Sequence, residues 1–157
     1  LREGFVDTLA TDHSPHTLDE KGSDIYGKLT KPAIWDCISG FCGVETGVPL
    51  ILTEVNKGRP TLNQYVKVAS ENPAKVWQVY PKKGAIRLGS DGDITVVDMD
   101  KEGTIDVNKL HSKNKPSPWH GWKVKGIPVM TVVRGHVQMR DGEPCGKPIG
   151  KALKPLI

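Results

Sequence analysis

The hydrophobic and polar positions change rhythm along the chain. Phe5-Val6-Asp7-Thr8-Leu9-Ala10 is a short, mostly apolar run that predicts a buried strand over residues 5–11. Residues 17–34 are rich in Asp, Glu, Lys and Gly and predict a long loop. Leu50-Ile51-Leu52-Thr53-Glu54-Val55 predicts a helix with Pro49 in its first turn, ended by Asn56-Lys57-Gly58. Thr61 is placed to cap a helix whose apolar face is Leu62, Tyr65, Val66 and Ala69. Asn72-Pro73 reads as the cap and first position of a further helix. Ala74, Val76, Trp77 and Tyr80 form its apolar face and Pro81 stops it.

Beyond Pro81 the helical spacing is replaced by short β-branched runs between turn residues. Ile94-Thr95-Val96-Val97, Val129-Met130-Thr131-Val132-Val133 and His136-Val137-Gln138-Met139 are the runs. Gly84, Gly89, Asp91-Gly92, Gly103, Arg134-Gly135 and Asp141-Gly142 are the breaks. This predicts an antiparallel sheet or sandwich. A domain boundary is placed near residue 81, giving segments 1–81 and 82–143. Residues 144–157, rich in Lys, Gly and Pro, are read as a tail.

A length of 157 residues suits one domain or one and a half small ones. The 37% hydrophobic and 25% charged fractions are those of a soluble globular chain. The net charge of +4 is spread without a long basic run, and aromatic residues are sparse. Nucleic acid is therefore not an expected partner. No apolar stretch approaches the roughly 20 residues needed to span a bilayer, so no membrane role is expected either. Cys37, Cys42 and Cys145 are odd in number and form no CxxC pair, which speaks against a disulfide framework or zinc knuckle. A reducing, cytoplasmic setting is expected. The chain opens on Leu1 and runs almost at once into a strand pattern, which predicts a cut chain with more protein upstream.

The candidate chemistry lies where the first strand pattern stops, in Thr11-Asp12-His13-Ser14-Pro15-His16. Pro15 interrupts any ladder. Ionisable groups fanned out at a strand's carboxyl end are what barrel and open α/β enzymes place in their active sites. Asp12 can serve as a metal ligand, a general base or a local turn residue. His16 can donate a hydrogen bond to an anionic substrate. Strand alternation sends His13 to the opposite face from Asp12, which suits a supporting group behind the site. Gly40, Gly43 and Gly47 let a backbone approach a ligand closely. His111, His120 and His136 lack ligand spacing and are read as structural or surface residues. Trp35, Trp77, Trp119 and Trp122 are read as core or interface residues.

Three stretches resemble the cyclic amidohydrolases, and the dihydroorotases most closely: Thr11-Asp12-His13-Ser14-Pro15-His16-Thr17, Gly43-Val44-Glu45-Thr46-Gly47-Val48-Pro49-Leu50 and Asn72-Pro73-Ala74-Lys75. Lys83-Gly84-Ala85-Ile86, Gly89-Ser90-Asp91-Gly92-Asp93-Ile94, Ser117-Pro118-Trp119-His120-Gly121-Trp122 and Val133-Arg134-Gly135-His136-Val137 are similar to that family's small β domain. The resemblance covers nearly the whole chain in one order. It implies an α/β chain: the last strand and following helices of a distorted (β/α)8 TIM barrel, then most of a β-sandwich whose N-terminal strands are missing.

It further implies one or two Zn2+ ions that activate a water against a cyclic amide, with Asp12 as metal ligand and general base. His16 would hold the substrate carboxylate and Gly43 would contact the ring through its backbone. Ser14, where dihydroorotases often carry Ala, keeps the allantoinases open, and hydantoinases or dihydropyrimidinases are the near alternative. A non-catalytic scaffold member of the family is the more distant one. The family's His-x-His strand, carboxylated lysine, two further metal histidines and substrate arginine lie upstream of these residues. One carboxylate does not hold a catalytic zinc and one strand does not close a barrel. The chain alone is therefore expected to be inactive and poorly folded, or to sit with the missing barrel portion of the same protein. A homo-oligomer is expected for the whole.

Overall fold

The structure, a computed structural model, describes residues 1–24, 28–30 and 34–156. The expected loop over 17–34 thus lies partly outside the described residues. Its described part contains a one-turn helix, α1 (Leu18–Lys21), with a capping box between Thr17 and Glu20 and a left-handed Gly22 behind it. The next elements are a 3-10 turn (Ile34–Asp36), α2 (Gly47–Asn56) and α3 (Leu62–Val66). A π-helical turn (Lys67–Glu71) leads into α4 (Asn72–Val76). The sheet then follows: β1 (Ile94–Thr104), a 3-10 turn (Val107–Lys109), β2 (Lys123–Val133), β3 (His136–Arg140) and β4 (Glu143–Pro144).

The helices α2 and α3 form where their caps and apolar spacing place them, and Thr61 accepts from the Gln64 N–H in a second capping box. Asn72 is a correction. It has helical angles rather than those of a cap, and the π turn joins α3 to α4 without a break. The widened turn accommodates Pro73, which has no N–H for the ladder. The Asn72 amide instead donates 2.7 Å to the Asp7 carbonyl. Tyr80 also falls outside the helix, which ends at Val76 before a left-handed Gln78.

Residues 5–11 form no strand. Leu9 N–H donates to the Val68 carbonyl, and Phe5 is 89% exposed. A strand exists through its neighbours, and among the described residues none runs alongside this segment.

The sheet is antiparallel in the order β1-β2-β3-β4, joined by tight turns at Arg134-Gly135 and Asp141-Gly142. It is a single layer; a second sheet to complete a sandwich is not among the described residues. β1 is longer than its apolar run because it continues through a bulge. Asp98 pairs with Ile127 and Glu102 with Lys125, so Met99, Asp100 and Lys101 stand opposite Gly126 alone. Asp98 Oδ1 accepts the Asp100 and Lys101 N–H groups. Asn56 Nδ2 donates to the Met99 carbonyl at 3.0 Å and the Lys125 carbonyl at 3.1 Å. Thr53 Oγ1 accepts the Lys125 N–H at 2.9 Å. The polar end of α2 thus satisfies the Met99 carbonyl in the bulge and the backbone groups of Lys125 beside it.

This contact brings α2 onto β2 across the expected boundary at residue 81. Leu52 is wholly buried there, and a Cβ on Gly126, whose φ is +92°, would lie 2.8 Å from the Leu52 Cβ. The rest of the core is small: Cys42, Val68, Ala74, Ile105, Val107 and Val124. Of the core-or-interface reading, the core half does not hold for three of the four tryptophans. Trp35, Trp77 and Trp122 are 92%, 74% and 55% exposed, while Trp119 meets Phe41 edge-on at 6.2 Å. The segment after β4 is largely exposed and is tied back by Leu156 N–H to the Gln78 carbonyl.

At the sheet's other end Lys83 pairs with Asp91 at 2.9 Å and with Asp93. Asp93 Oδ1 accepts the Arg134 N–H at 2.8 Å, locking the start of β1 to the β2–β3 turn. The hydrogen bond from Lys83 holds the Asp91 carboxyl below its usual range. Burial opposes ionisation of Asp93, but the Lys83 ammonium and the Arg134 N–H outweigh it and its carboxyl also sits low.

Gly126→Ala should cost about 2–4 kcal/mol, since it adds a buried overlap to a strained φ. Gly121→Ala, also at positive φ but with nothing within 4 Å, should cost about 1 kcal/mol. Urea unfolding midpoints that fall equally in the two variants would contradict the close approach. Because Asp91 and Asp93 are lowered, their contribution is present above the unfolded carboxylate value of about 3.9 and is lost as pH falls through the lower folded values. Lys83→Met should flatten this acid limb in unfolding curves taken between about pH 6 and about pH 2.

Candidate functional site

Just past the expected strand over residues 5–11, Asp12 takes a left-handed conformation with φ +46°. Asp tolerates this region better than most residues. Asp12 is exposed, and among the described residues its carboxylate makes no hydrogen bond or ion pair. The turn swings the following residues onto the glycine-rich loop 40–47. His13 bridges to Phe41, and Ser14 N–H donates to the Phe41 carbonyl at 3.0 Å.

His13 takes a supporting place. Its Nδ1 accepts the Gly43 N–H at 3.1 Å and the Val44 N–H at 3.3 Å. A ring nitrogen that accepts presents its lone pair to these two N–H groups. Gly43 is buried against Thr11: a Cβ there would stand 3.0 Å from both the Thr11 Cβ and carbonyl oxygen. Its N–H serves His13, and its carbonyl accepts the Gly47 N–H. Both backbone groups of Gly43 thus have partners within the chain. His16 faces another carboxylate of the chain, with Nδ1 3.6 Å from Glu20 Oε2. The same Glu20 oxygen accepts the Thr17 N–H at 2.9 Å, and the Thr17 hydrogen bonds keep Glu20 below its usual range.

Several residues without a local signal hold this arrangement together. Lys21 is 5% exposed and donates to the Gly40 carbonyl and, at 3.4 Å, to the Ile38 carbonyl. Its ammonium lies 4.7 Å from the centre of the Phe41 ring. Burial pushes the Cys42 thiol up, so it stays protonated and donates to the Asn114 carbonyl. The Asn114 amide donates to the Pro15 carbonyl at 2.9 Å. Glu45 accepts the His111 and Ser112 N–H groups on Oε1 and faces His111 Nδ1 at 2.9 Å with Oε2. Glu45 and His111 are far apart in sequence, so only folding reveals the pair.

An apolar cavity of about 410 Å3 adjoins the same segment, lined among others by Leu9, Thr11, Val48, Ile51, Tyr65 and Trp119. Asp12, His13 and His16 are not in its wall. Burial raises the phenol of Tyr65, its one titratable lining group, so that side chain stays neutral. Among the described residues no three His, Cys, Asp or Glu side chains come together to hold a metal ion. One carboxylate does not hold a catalytic zinc, and these residues do not make a zinc site by themselves.

The profile of the amidohydrolase family matches residues 1–138. An L-hydantoinase of Paenarthrobacter aurescens is 39% identical over 147 residues, covering 91% of this chain and 30% of its own length. A dihydroorotase of Geobacter sp. (strain M21) is 42% identical over 142 residues, covering 90% and 31%. The solved L-hydantoinase from Arthrobacter aurescens superposes with a TM-score of 0.85 at 38% identity, over 93% of this chain and 31% of that one. The D-hydantoinase from Thermus sp. gives 0.82 at 36% identity, over 92% and 31%. The chain thus spans about a third of the length of these relatives. With a loop-held Asp-His-Ser-Pro-His turn and a family match over most of its length, the chain belongs to the amidohydrolase family.

Proposed function

We propose that the protein carrying these residues hydrolyses cyclic amides, and that its substrate is dihydroorotate, opened reversibly to N-carbamoyl-aspartate. The observation that carries this reading is the exposed, unengaged Asp12 carboxylate on a turn held by the glycine-rich loop. The similarity to dihydroorotases over nearly the whole chain supports the substrate. Asp12 accepts the proton of the attacking water, whose oxygen goes to the ring carbonyl carbon. The C–N bond then breaks and the proton passes to the leaving nitrogen. His16 anchors the substrate carboxylate, which displaces the Glu20 carboxylate now beside it. His13 fixes the turn from behind.

Zinc is the expected metal, with Asp12 as one ligand and the other ligands outside these 157 residues. The last barrel strand is assigned to residues 5–11, which pair once the rest of the barrel lies alongside. The remainder of the same protein is then the partner that covers the apolar cavity beside Leu9 and Thr11. A homo-oligomer and a cytoplasmic setting belong to the same reading. A hydantoinase is the second reading, favoured by the superposition on the L-hydantoinase at a TM-score of 0.85.

In the intact protein, Asp12→Asn should lower kcat for dihydroorotate hydrolysis by about 10²–10⁴-fold. His16→Ala should raise KM for dihydroorotate about 10-fold or more while leaving hydantoin, which lacks the carboxylate, little affected. Unchanged dihydroorotate kinetics in both variants would remove this reading, and efficient hydantoin turnover with none of dihydroorotate would establish the second. The 157-residue chain alone should show no turnover with zinc added. Metal-dependent activity of that polypeptide would show that the ligand set is complete without the remainder.

A further inference from the structure

The glycine-rich loop is gripped from two sides. On one side its Gly43 and Val44 N–H groups point at His13 Nδ1. On the other, the next residue, Glu45, receives a fan of donors from residues 111 and 112: the His111 N–H at 2.8 Å, the Ser112 N–H at 3.3 Å and His111 Nδ1 at 2.9 Å. The far ring nitrogen, His111 Nε2, lies 3.4 Å from Glu143 Oε2 on β4. Ionised carboxylates only accept hydrogen bonds, so an imidazole with one at each nitrogen is held best as imidazolium, donating from both. Among the described residues the charged groups facing this ring are Glu45 from the loop and Glu143 from the sheet.

We propose that Glu45 and His111 are positioning residues of the candidate site: a charged Glu45–His111–Glu143 clamp fixes the glycine-rich loop to the sheet, and the loop's Gly43 and Val44 N–H groups in turn fix the His13 ring next to Asp12. The proposal rests on the reading of Asp12 and its neighbours as the reactive turn, but the clamp itself is a matter of geometry. It adds an ionic grip at Glu45 to the backbone pairing and the apolar seat of Gly43 on Thr11, while the Lys21 ammonium holds the loop's other end at Gly40 and Phe41.

The sign follows from the two carboxylates. The Glu45 hydrogen bond, with Glu143 behind it, holds the His111 ring above the usual histidine value. Its contribution is complete below the unfolded value of about 6.5 and is lost as pH rises through the higher folded value. A loosening of the Gly43 and Val44 amides on raising pH is therefore the mark of His111.

The test is residue-resolved hydrogen–deuterium exchange on the intact protein, with protection factors corrected for the intrinsic rate at each pH. In the wild type, protection of the Gly43 and Val44 amides should fall about tenfold between about pH 6 and about pH 9. The Val96 and Met130 amides of the sheet serve as the reference and should stay constant. Glu45→Ala should give low protection at all pH values. Glu45→Gln keeps an acceptor for the two backbone N–H groups and can meet a neutral His111, so it should restore protection and abolish its pH dependence.

Protection that is flat with pH in the wild type overturns the clamp, as does Glu45→Ala leaving Gly43 and Val44 unchanged. If Glu45→Ala fails to fold, the wild-type profile and Glu45→Gln still decide. Because the readout is exchange rather than turnover, an Asp12→Asn variant with unchanged turnover beside the expected exchange behaviour would sink the catalytic reading alone. A failed exchange profile beside a crippling Asp12→Asn would sink the clamp alone.

Discussion

The close approach of α2 to β2 at Gly126 is the constraint on which the rest of this structure depends. A side chain at that position would run into Leu52, so the helix can sit on the sheet only over bare backbone. Two polar residues of the helix exploit the proximity. Thr53 and Asn56 take up the Lys125 backbone groups and the carbonyl of Met99 in the β1 bulge. Packing and hydrogen bonding thus act at one spot, and the bulge is a seat for the helix rather than a defect in the strand. In a chain with few fully buried side chains, this is where helices and sheet become one body.

The site inherits its order from that seat. The helix that rests on β2 begins at Gly47, directly after the glycine-rich loop, so fixing α2 fixes one end of the loop. The loop then holds the Asp12–His16 turn through Phe41, Gly43 and Val44. Contacts from Lys21, Asn114 and the 111–112 segment surround it. Most of these bonds end on backbone carbonyls or N–H groups. They set where the turn lies and leave the Asp12 carboxylate unengaged within the chain.

The exposed apolar residues have a consistent placement. Phe5, the cavity beside Leu9 and Thr11, and Trp77 with Ile86 and Leu88 lie on the N-terminal segment and around the end of α4. A monomer rarely leaves so many large side chains in water. Under the proposed function, these faces are the ones the remainder of the protein would cover.

What the sequence determined by itself is local. Thr61 and the Leu62–Val66 spacing specified a capped helix, Pro49 and Asn56-Lys57-Gly58 bracketed α2, and the β-branched runs with Arg134-Gly135 and Asp141-Gly142 specified an antiparallel meander. Each signal lies within one turn or one hairpin, where neighbours in sequence are neighbours in space. The motif around Asp12 was legible for the same reason, as a cluster of ionisable groups next to a proline. Tertiary structure alone decided what depended on distant partners. Residues 5–11 have strand composition but, among the described residues, no strand beside them, Asn72 left its capping role to hold the Asp7 carbonyl, and β1 runs on through polar residues because Gly126 and α2 absorb its bulge. The pairing of Glu45 with His111 belongs with these. A carboxylate and an imidazole 66 residues apart carry no signal in sequence until folding places them 2.9 Å from one another.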